Sequence, residues 1–122
     1  MNPAQTKRTA LLAKGTPLEK GANYTAKATD NGAIVVATAA DLVITLPTSP
    51  PPNFQITIMQ NSASGGTGLT VGVPTAHTVV FNGKSAGADL VNTGATDVVG
   101  DSVTLRYYNL KWYIIHMRGT WA

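Results

Sequence analysis

From residue 23 onward, short runs of β-branched and aromatic residues alternate with clusters of Gly, Pro, Asn and Asp. Such runs typically form strands, and such clusters form the turns between them. The pattern predicts nine strands, at residues 23–27, 33–37, 42–46, 54–60, 69–73, 78–81, 89–92, 102–108 and 112–118. Their repeat of roughly 8–12 residues is typical of a β-sandwich or barrel, and no helix longer than a few turns is predicted.

The longest of these runs alternate apolar and polar residues with a period of two. In residues 54–60, Phe54, Ile56 and Ile58 point one way and the polar residues between them point the other way. One buried face and one wetter face per strand favour antiparallel sheets. We therefore expect an all-β fold, an antiparallel β-sandwich of eight or nine strands with an extended N-terminal arm. A jelly roll and a simpler sandwich topology are both open.

The start of the chain has a different composition and carries the basic charge. Residues 1–27 hold five basic side chains and one glutamate, a net charge of +4, whereas the remainder has a net charge of −1. We predict an N-terminal docking arm at residues 1–22 and a β-sandwich domain at residues 23–122. The arm residues expected to bind a partner are Lys7, Arg8, Leu11, Leu12 and Lys14. A solvated leader is the alternative. Nucleic acid is not expected as a partner, because no aromatic side chains are interleaved with these cations.

Residues that support catalysis or metal binding are scarce in this chain. It has no cysteine, two histidines and one glutamate. His77 and His116 are far apart in sequence, and a metal site needs several convergent ligands. A cation site at Asp97 and Asp101 is conceivable, although the spacing is unlike an EF-hand. We therefore predict that the protein is not an enzyme and binds no cofactor, and that both histidines are satisfied by hydrogen bonds or face solvent.

The bulk composition favours contact with other proteins. Charged residues make up only 12% of the chain, about half of the usual share of roughly 25%. No apolar run approaches the roughly 20 residues that a membrane helix requires. The N-terminus also lacks an apolar stretch of signal-peptide length. We expect a soluble β protein that covers or contacts other proteins, without a membrane partner.

The C-terminal stretch, residues 112–122, carries large apolar groups on both faces of its predicted strand. Strict alternation places Trp112, Ile114 and His116 on one face, and Tyr113, Ile115 and Met117 on the other. Such a strand is either covered on both sides or contacts a partner. Trp112 is assigned to the core, and Trp121 to the core or an interface. The residues predicted for a subunit interface are Trp121, Tyr113 and Met117.

The order of these elements resembles the small β-sandwich modules of tailed-bacteriophage virion proteins, which occur in fibre tips and capsid decoration proteins. The resemblance covers about residues 23–122. In its first half, it rests on a Tyr-Thr strand (23–25), an Asp-Asn-Gly turn (30–32), an Ile-Thr-Leu-Pro strand (44–47) and the run Phe-Gln-Ile-Thr-Ile (54–58). In its second half, it rests on a Gly-rich loop with Leu-Thr-Val (62–71) and on closing Val-Thr-Leu (103–105) and Trp-Tyr (112–113) strands. It brings no catalytic residues.

A free-standing module behind a short basic leader is most similar to a capsid decoration (cement) protein. That resemblance implies a homotrimer on the capsid surface of the virion, made in the bacterial host cytoplasm. It would bridge neighbouring copies of the major capsid protein and so stabilise the shell.

Two other functions are weighed against decoration. The first is the receptor-binding tip of a tail or head fibre, which recognises a host surface glycan or protein. Its candidate surfaces are the Gly-rich loop at residues 62–68 and the pair Tyr107 and Tyr108. The second is a small cupin-like enzyme, which two distant histidines and one glutamate do not support.

Overall fold

The computed structural model describes residues 17–62, 66–94 and 96–122. In these ranges the chain forms one short 3-10 helix, Ala28–Asp30, and ten strands. The strands are β1 (Pro17–Lys20), β2 (Tyr24–Thr25), β3 (Ile34–Ala37), β4 (Val43–Thr45), β5 (Gln55–Gln60), β6 (Thr70–Gly72), β7 (Thr78–Val80), β8 (Leu90–Val91), β9 (Ser102–Tyr108) and β10 (Lys111–Arg118). Each of the nine predicted runs overlaps one of them, and β10 begins one residue before its predicted run.

The strands form two sheets that enclose one apolar core. The larger sheet has six strands in the order β1-β3-β5-β9-β10-β7, and the smaller has four in the order β2-β4-β6-β8. In β5, the inward Ile56 and Ile58 are fully buried, whereas Gln55 and Thr57 are half-buried on the other face. The predicted all-β sandwich is confirmed.

The predicted antiparallel pairing is wrong for most neighbours. The pairs β1–β3, β3–β5, β2–β4, β4–β6 and β7–β10 are parallel, and only β5–β9, β9–β10 and β6–β8 are antiparallel. From β1 to β8 the chain alternates between the two sheets. The strand in the opposite sheet therefore provides the return path that parallel neighbours need, and no crossover helix is required. The antiparallel prediction was wrong because alternation of apolar and polar residues shows that a strand has one buried face, but it does not show the direction of the neighbouring strand.

The strand β1 lies within the range that the sequence assigned to the arm, and it brings the number of strands to ten. Among the described strands it lies at the edge of its sheet and pairs with β3, in the register Pro17 to Ile34 and Lys20 to Ala37. Three of its four residues, a proline and two charged residues, have low strand propensity, so the sequence did not predict a strand here. An edge strand nevertheless tolerates proline and charged residues. Residues 1–16, the rest of the predicted arm, lie outside the described residues.

An aromatic cluster fills the end of the core between β5, β9 and β10. Trp112 is fully buried, as predicted, and its ring meets Phe54 edge-on at 5.8 Å and Tyr107 at 5.1 Å between centroids. The indole Nε1–H donates to Nδ1 of His77 at 3.1 Å. His77 is only 2% exposed. Of the two predicted alternatives, a hydrogen-bonded histidine and a solvent-facing one, the first applies to His77. Burial lowers the pKa of this imidazole, and a backbone hydrogen bond with Thr48 opposes that shift.

A β-bulge in β10 overturns the predicted facing of its second half. Ile114 pairs with Leu105, but the next paired residue is His116, opposite Thr104, which leaves Ile115 as the extra residue. An inserted residue shifts the alternation by one position. Trp112, Ile114 and Met117 therefore pack on the core, whereas His116 lies exposed on the other face. The prediction that placed His116 with Trp112, and Met117 opposite them, is wrong.

Candidate protein-binding surface

The outward side of β7, β9 and β10 carries the clearest candidate surface. We define the outer face by Val80, Arg106, Lys111, Tyr113, Ile115 and Arg118, which project away from the core. Val80 is 47% exposed and Ile115 56% exposed. Tyr113 stands between Arg106 on β9 and Val80 on β7, in the same row of the sheet. Directly opposed side chains of neighbouring strands lie about 4.5–5.5 Å apart at Cβ, so these groups form one continuous patch.

The charge on this side of the sheet has one sign. The strands β7, β9 and β10 contain Arg106, Lys111 and Arg118 and no Asp or Glu. The strands β3 and β5 beside them carry no charged residue. The glutamate of the sheet, Glu19, lies on β1 at the opposite edge. At physiological salt the Debye length is about 8 Å, so Glu19, several strands away, does little to screen the three cations.

The chain matches no protein-family model and no curated protein.

The chemistry of the outer face suits contact with another protein. Aromatic residues and arginine are enriched in protein interfaces, whereas acidic residues and lysine are depleted there. Here, large apolar groups lie beside two arginines without any covering element among the described residues. A second copy packed face to face would bring like charges together, and such juxtaposition costs several kcal/mol (order of magnitude) in a binding interface. An acidic surface is the better complement.

The three residues predicted for a subunit interface lie in different environments. Tyr113, 39% exposed, belongs to the outer face. Met117 is half-buried against the core, because the bulge at Ile115 turns it inward. Trp121 is 5% exposed within the core, where its indole Nε1–H donates to the carbonyl of Arg118 at 2.9 Å. Trp121 therefore packs in the core of its own chain, one of the two environments predicted for it.

The predicted arm residues, Lys7, Arg8, Leu11, Leu12 and Lys14, lie outside the described residues. Val80, Arg106, Lys111 and Ile115 were not predicted to be members of one surface. Val80, Arg106 and Ile115 lie in predicted strands, and strict alternation gives their outward direction; it places Ile115 on the face of Tyr113. Lys111 lies just before the predicted strand at residues 112–118, and no single run shows that β7, β9 and β10 are neighbours.

A second surface feature is a cleft beyond the ends of β9 and β10. It has a volume of about 540 Å³ and is lined by Pro50, Pro52, Tyr107, Tyr108 and Asn109. It includes the tyrosine pair that the sequence associates with a receptor-binding tip. The Gly-rich loop, the other surface of that hypothesis, includes residues 63–65, which lie outside the described residues.

The two aspartates considered for a cation site lie in a buried polar cluster. Gln60 Nε2 donates to Asp97 Oδ2 at 2.8 Å, and Asn92 Nδ2 donates to Asp101 Oδ2 at 3.2 Å. The backbone N–H of Val98 also donates to Asp101 Oδ2 at 3.1 Å. These amides stabilise the buried carboxylates and tie the loop before β9 to the sheet. Within the described residues, no group of three or more His, Asp or Glu side chains could hold a metal ion.

The described part of the chain contains no helix that is both long and apolar enough to cross a membrane.

Proposed function

We propose that this chain is a virion structural protein of a tailed bacteriophage, a decoration protein that binds the outer capsid surface. The observation that carries the proposal is the outer face, a patch that no described element covers, in which Tyr113 and Ile115 lie beside three cations. Exposed apolar patches bordered by polar groups mark protein interaction sites. The resemblance of residues 23–122 to phage virion modules supplies the context.

The proposed mechanism is stabilisation by mass action. A protein that binds the assembled shell but not its separated subunits shifts the equilibrium towards the shell by RT ln(1 + [L]/Kd). The outer face would bind one copy of the major capsid protein, and the arm at residues 1–16 would reach a neighbouring subunit. Two contacts on one chain raise the effective concentration of the second contact, so modest single affinities suffice. Assembly as a homotrimer would multiply this effect.

The position of the chain on purified particles tests the proposal directly. Immunogold labelling should show an even coat on the head, and quantitative gels should give a copy number in proportion to the major capsid protein. Absence from purified particles, or a signal confined to the tail, would refute the assignment.

A matched pair of charge reversals tests the role of the outer face. Arg106→Glu and Lys27→Glu change the net charge by the same amount, and both side chains are exposed. We expect Arg106→Glu to weaken binding to undecorated shells by at least about tenfold, because the variant sets a like charge against an acidic partner. Lys27→Glu, away from the outer face, should bind within about twofold of wild type. Equal effects of the two variants would show that only net charge matters.

Deletion of residues 2–16 tests the arm. The deletion ends before Pro17, because β1 pairs with β3 and belongs to the folded sheet. The shortened chain should keep its melting temperature within a few degrees and lose most of its affinity for shells. Unchanged shell binding would exclude the arm as a docking element.

A fibre tip that recognises a host surface is a second candidate function, and the cleft beside Tyr108 favours it. The same labelling experiment separates the two, since a tip protein would label fibres rather than the head surface.

A further inference from the structure

The cleft at the end of the β9–β10 hairpin has the dimensions of a ligand site. Its volume of about 540 Å³ falls within the range of about 300–1,000 Å³ that small-molecule sites occupy. We propose that this cleft binds a neutral saccharide, a short oligosaccharide recognised through its ring faces and hydroxyl groups. Binding of the saccharide needs only the isolated chain, so it does not depend on the proposed capsid location.

The walls of the cleft are fixed by the fold. Pro50 and Pro52 have φ locked by their rings, so one wall loses little entropy when a ligand binds. The backbone N–H of Asn53 donates to the carbonyl of Tyr107 at 3.1 Å, which joins this wall to β9. The ring of Tyr107 packs against His77 at 5.1 Å between centroids. A preformed site of this kind avoids part of the ordering cost of binding.

The lining groups match a sugar better than a charged ligand. Tyr108, 61% exposed, supplies a flat apolar ring and a hydroxyl, whereas the ring of Tyr107 packs against Trp112 and His77. Asn109 supplies an amide that both donates and accepts. The lining residues carry no charge, so an anionic ligand would lose its hydration without a compensating cation. A pyranose offers apolar C–H faces to aromatic rings and hydroxyls to the amide, which is the combination present here.

The turn that presents Asn109 has a strained conformation. Asn109 and Leu110 both lie in the left-handed region, with φ of 51° and 65°, and form the two-residue turn between β9 and β10. Asparagine tolerates this region, but a branched residue such as leucine is rare there. Strained positions of this kind cluster at ligand sites. The turn places Asn109 next to Tyr108 in the lining of the cleft.

NMR titration of the ¹⁵N-labelled full chain tests the proposal. The probes are the neutral disaccharides lactose, maltose, cellobiose and chitobiose, with glucuronate and decaproline for comparison. We expect at least one neutral disaccharide to shift the amide signals of Tyr107, Tyr108 and Asn109 saturably, with millimolar affinity. Glucuronate and decaproline should shift them less.

Matched tyrosine variants separate the cleft from the rest of the surface. Tyr108 is 61% exposed, so Tyr108→Ala should fold, and it should bind the disaccharide about tenfold more weakly because a stacking ring is lost. Tyr108→Phe should keep most of the affinity, and Tyr113→Ala, on the outer face, should keep all of it.

Two results would overturn the proposal: no shift at the cleft with any neutral disaccharide up to about 50 mM, or tighter binding of decaproline at the same residues. Neither result bears on capsid decoration, because Tyr108→Ala should still coat shells. A coat that is absent from shells while sugar binding persists would overturn the proposed function alone.

Discussion

The buried histidine His77 should make the stability of the protein fall as the pH is lowered. In the native state, Nδ1 of His77 accepts the indole N–H of Trp112, and the ring has a second hydrogen bond to the backbone of Thr48. Protonation of Nδ1 would break the first bond and bury a charge. The native pKa is therefore lowered below its ordinary value of 6.5, mainly by desolvation. The unfolded chain binds the proton at a higher pH, so acid favours unfolding.

The size and the pH window of this effect follow from proton linkage. Above pH 6.5 both states are neutral at this site, and the full stability is present. As the pH falls below 6.5, the unfolded state takes up as much as one proton more than the native state, which lowers the free energy of unfolding by at most about 1.4 kcal/mol per pH unit. Between pH 6.5 and about pH 5 the loss is at most about 2 kcal/mol, and it stops once the native pKa is passed.

Urea denaturation at a series of pH values from about 7.5 to 5 measures the loss. His77→Gln removes the titrating group but retains an amide that can accept from Trp112, so its stability should change less over this range. His116→Gln is the matched control: His116 is exposed, and the variant should keep the pH dependence of wild type. A loss of about 2 kcal/mol would shift the urea midpoint by about 1 M. If wild type and His77→Gln lose the same free energy, the native state protonates His77 as easily as the unfolded chain, and the burial argument is wrong.

Three further predictions concern the backbone. Leu110→Gly should stabilise the protein by up to about 1 kcal/mol in urea denaturation, because glycine relieves the positive φ of 65° at an exposed site; a destabilised variant would contradict the strain. Gly119→Ala should cost about 2–4 kcal/mol, since its Cβ would overlap the buried carboxylate of Asp101 at a φ of +95°. Gly83→Ala, with positive φ but nothing within 4 Å, should cost only about 1 kcal/mol. Deletion of Ile115 should preserve the fold by thermal melting, because it removes the bulge and leaves every pair of the β9–β10 register in place, whereas deletion of Thr104 from the regular partner strand should unfold it.

The strands could be predicted from the sequence because each carries its own local pattern. The run at residues 54–60 has one face of Phe54, Ile56 and Ile58, and that face is fully buried. Local pattern does not identify which strand lies next to which, so the alternation of the chain between two sheets was not predictable. An edge strand such as β1 is also hidden, because Leu18 is its one apolar side chain packed on the core.

The candidate surface was only partly predictable because one inserted residue decides which way several side chains face. Tyr113 precedes the bulge, so alternation assigned it correctly to the face opposite Trp112. His116 and Met117 follow the bulge, and both were assigned to the wrong face. Trp121 was ambiguous in sequence because burial of a terminal residue depends on a distant partner. Its backbone bridges to Asn92, and the C-terminus thereby closes over the core.

The distribution of charge links the two docking elements of the proposed function. Residues 1–16 carry three cations and no acidic residue, and residues 17–122 carry six of each sign. The outer face holds three of those six cations, so the remainder of residues 17–122 has a net charge of −3. Both segments therefore favour an acidic partner. Because exposed charges steer association, raising the salt concentration should slow binding to shells far more than it speeds dissociation.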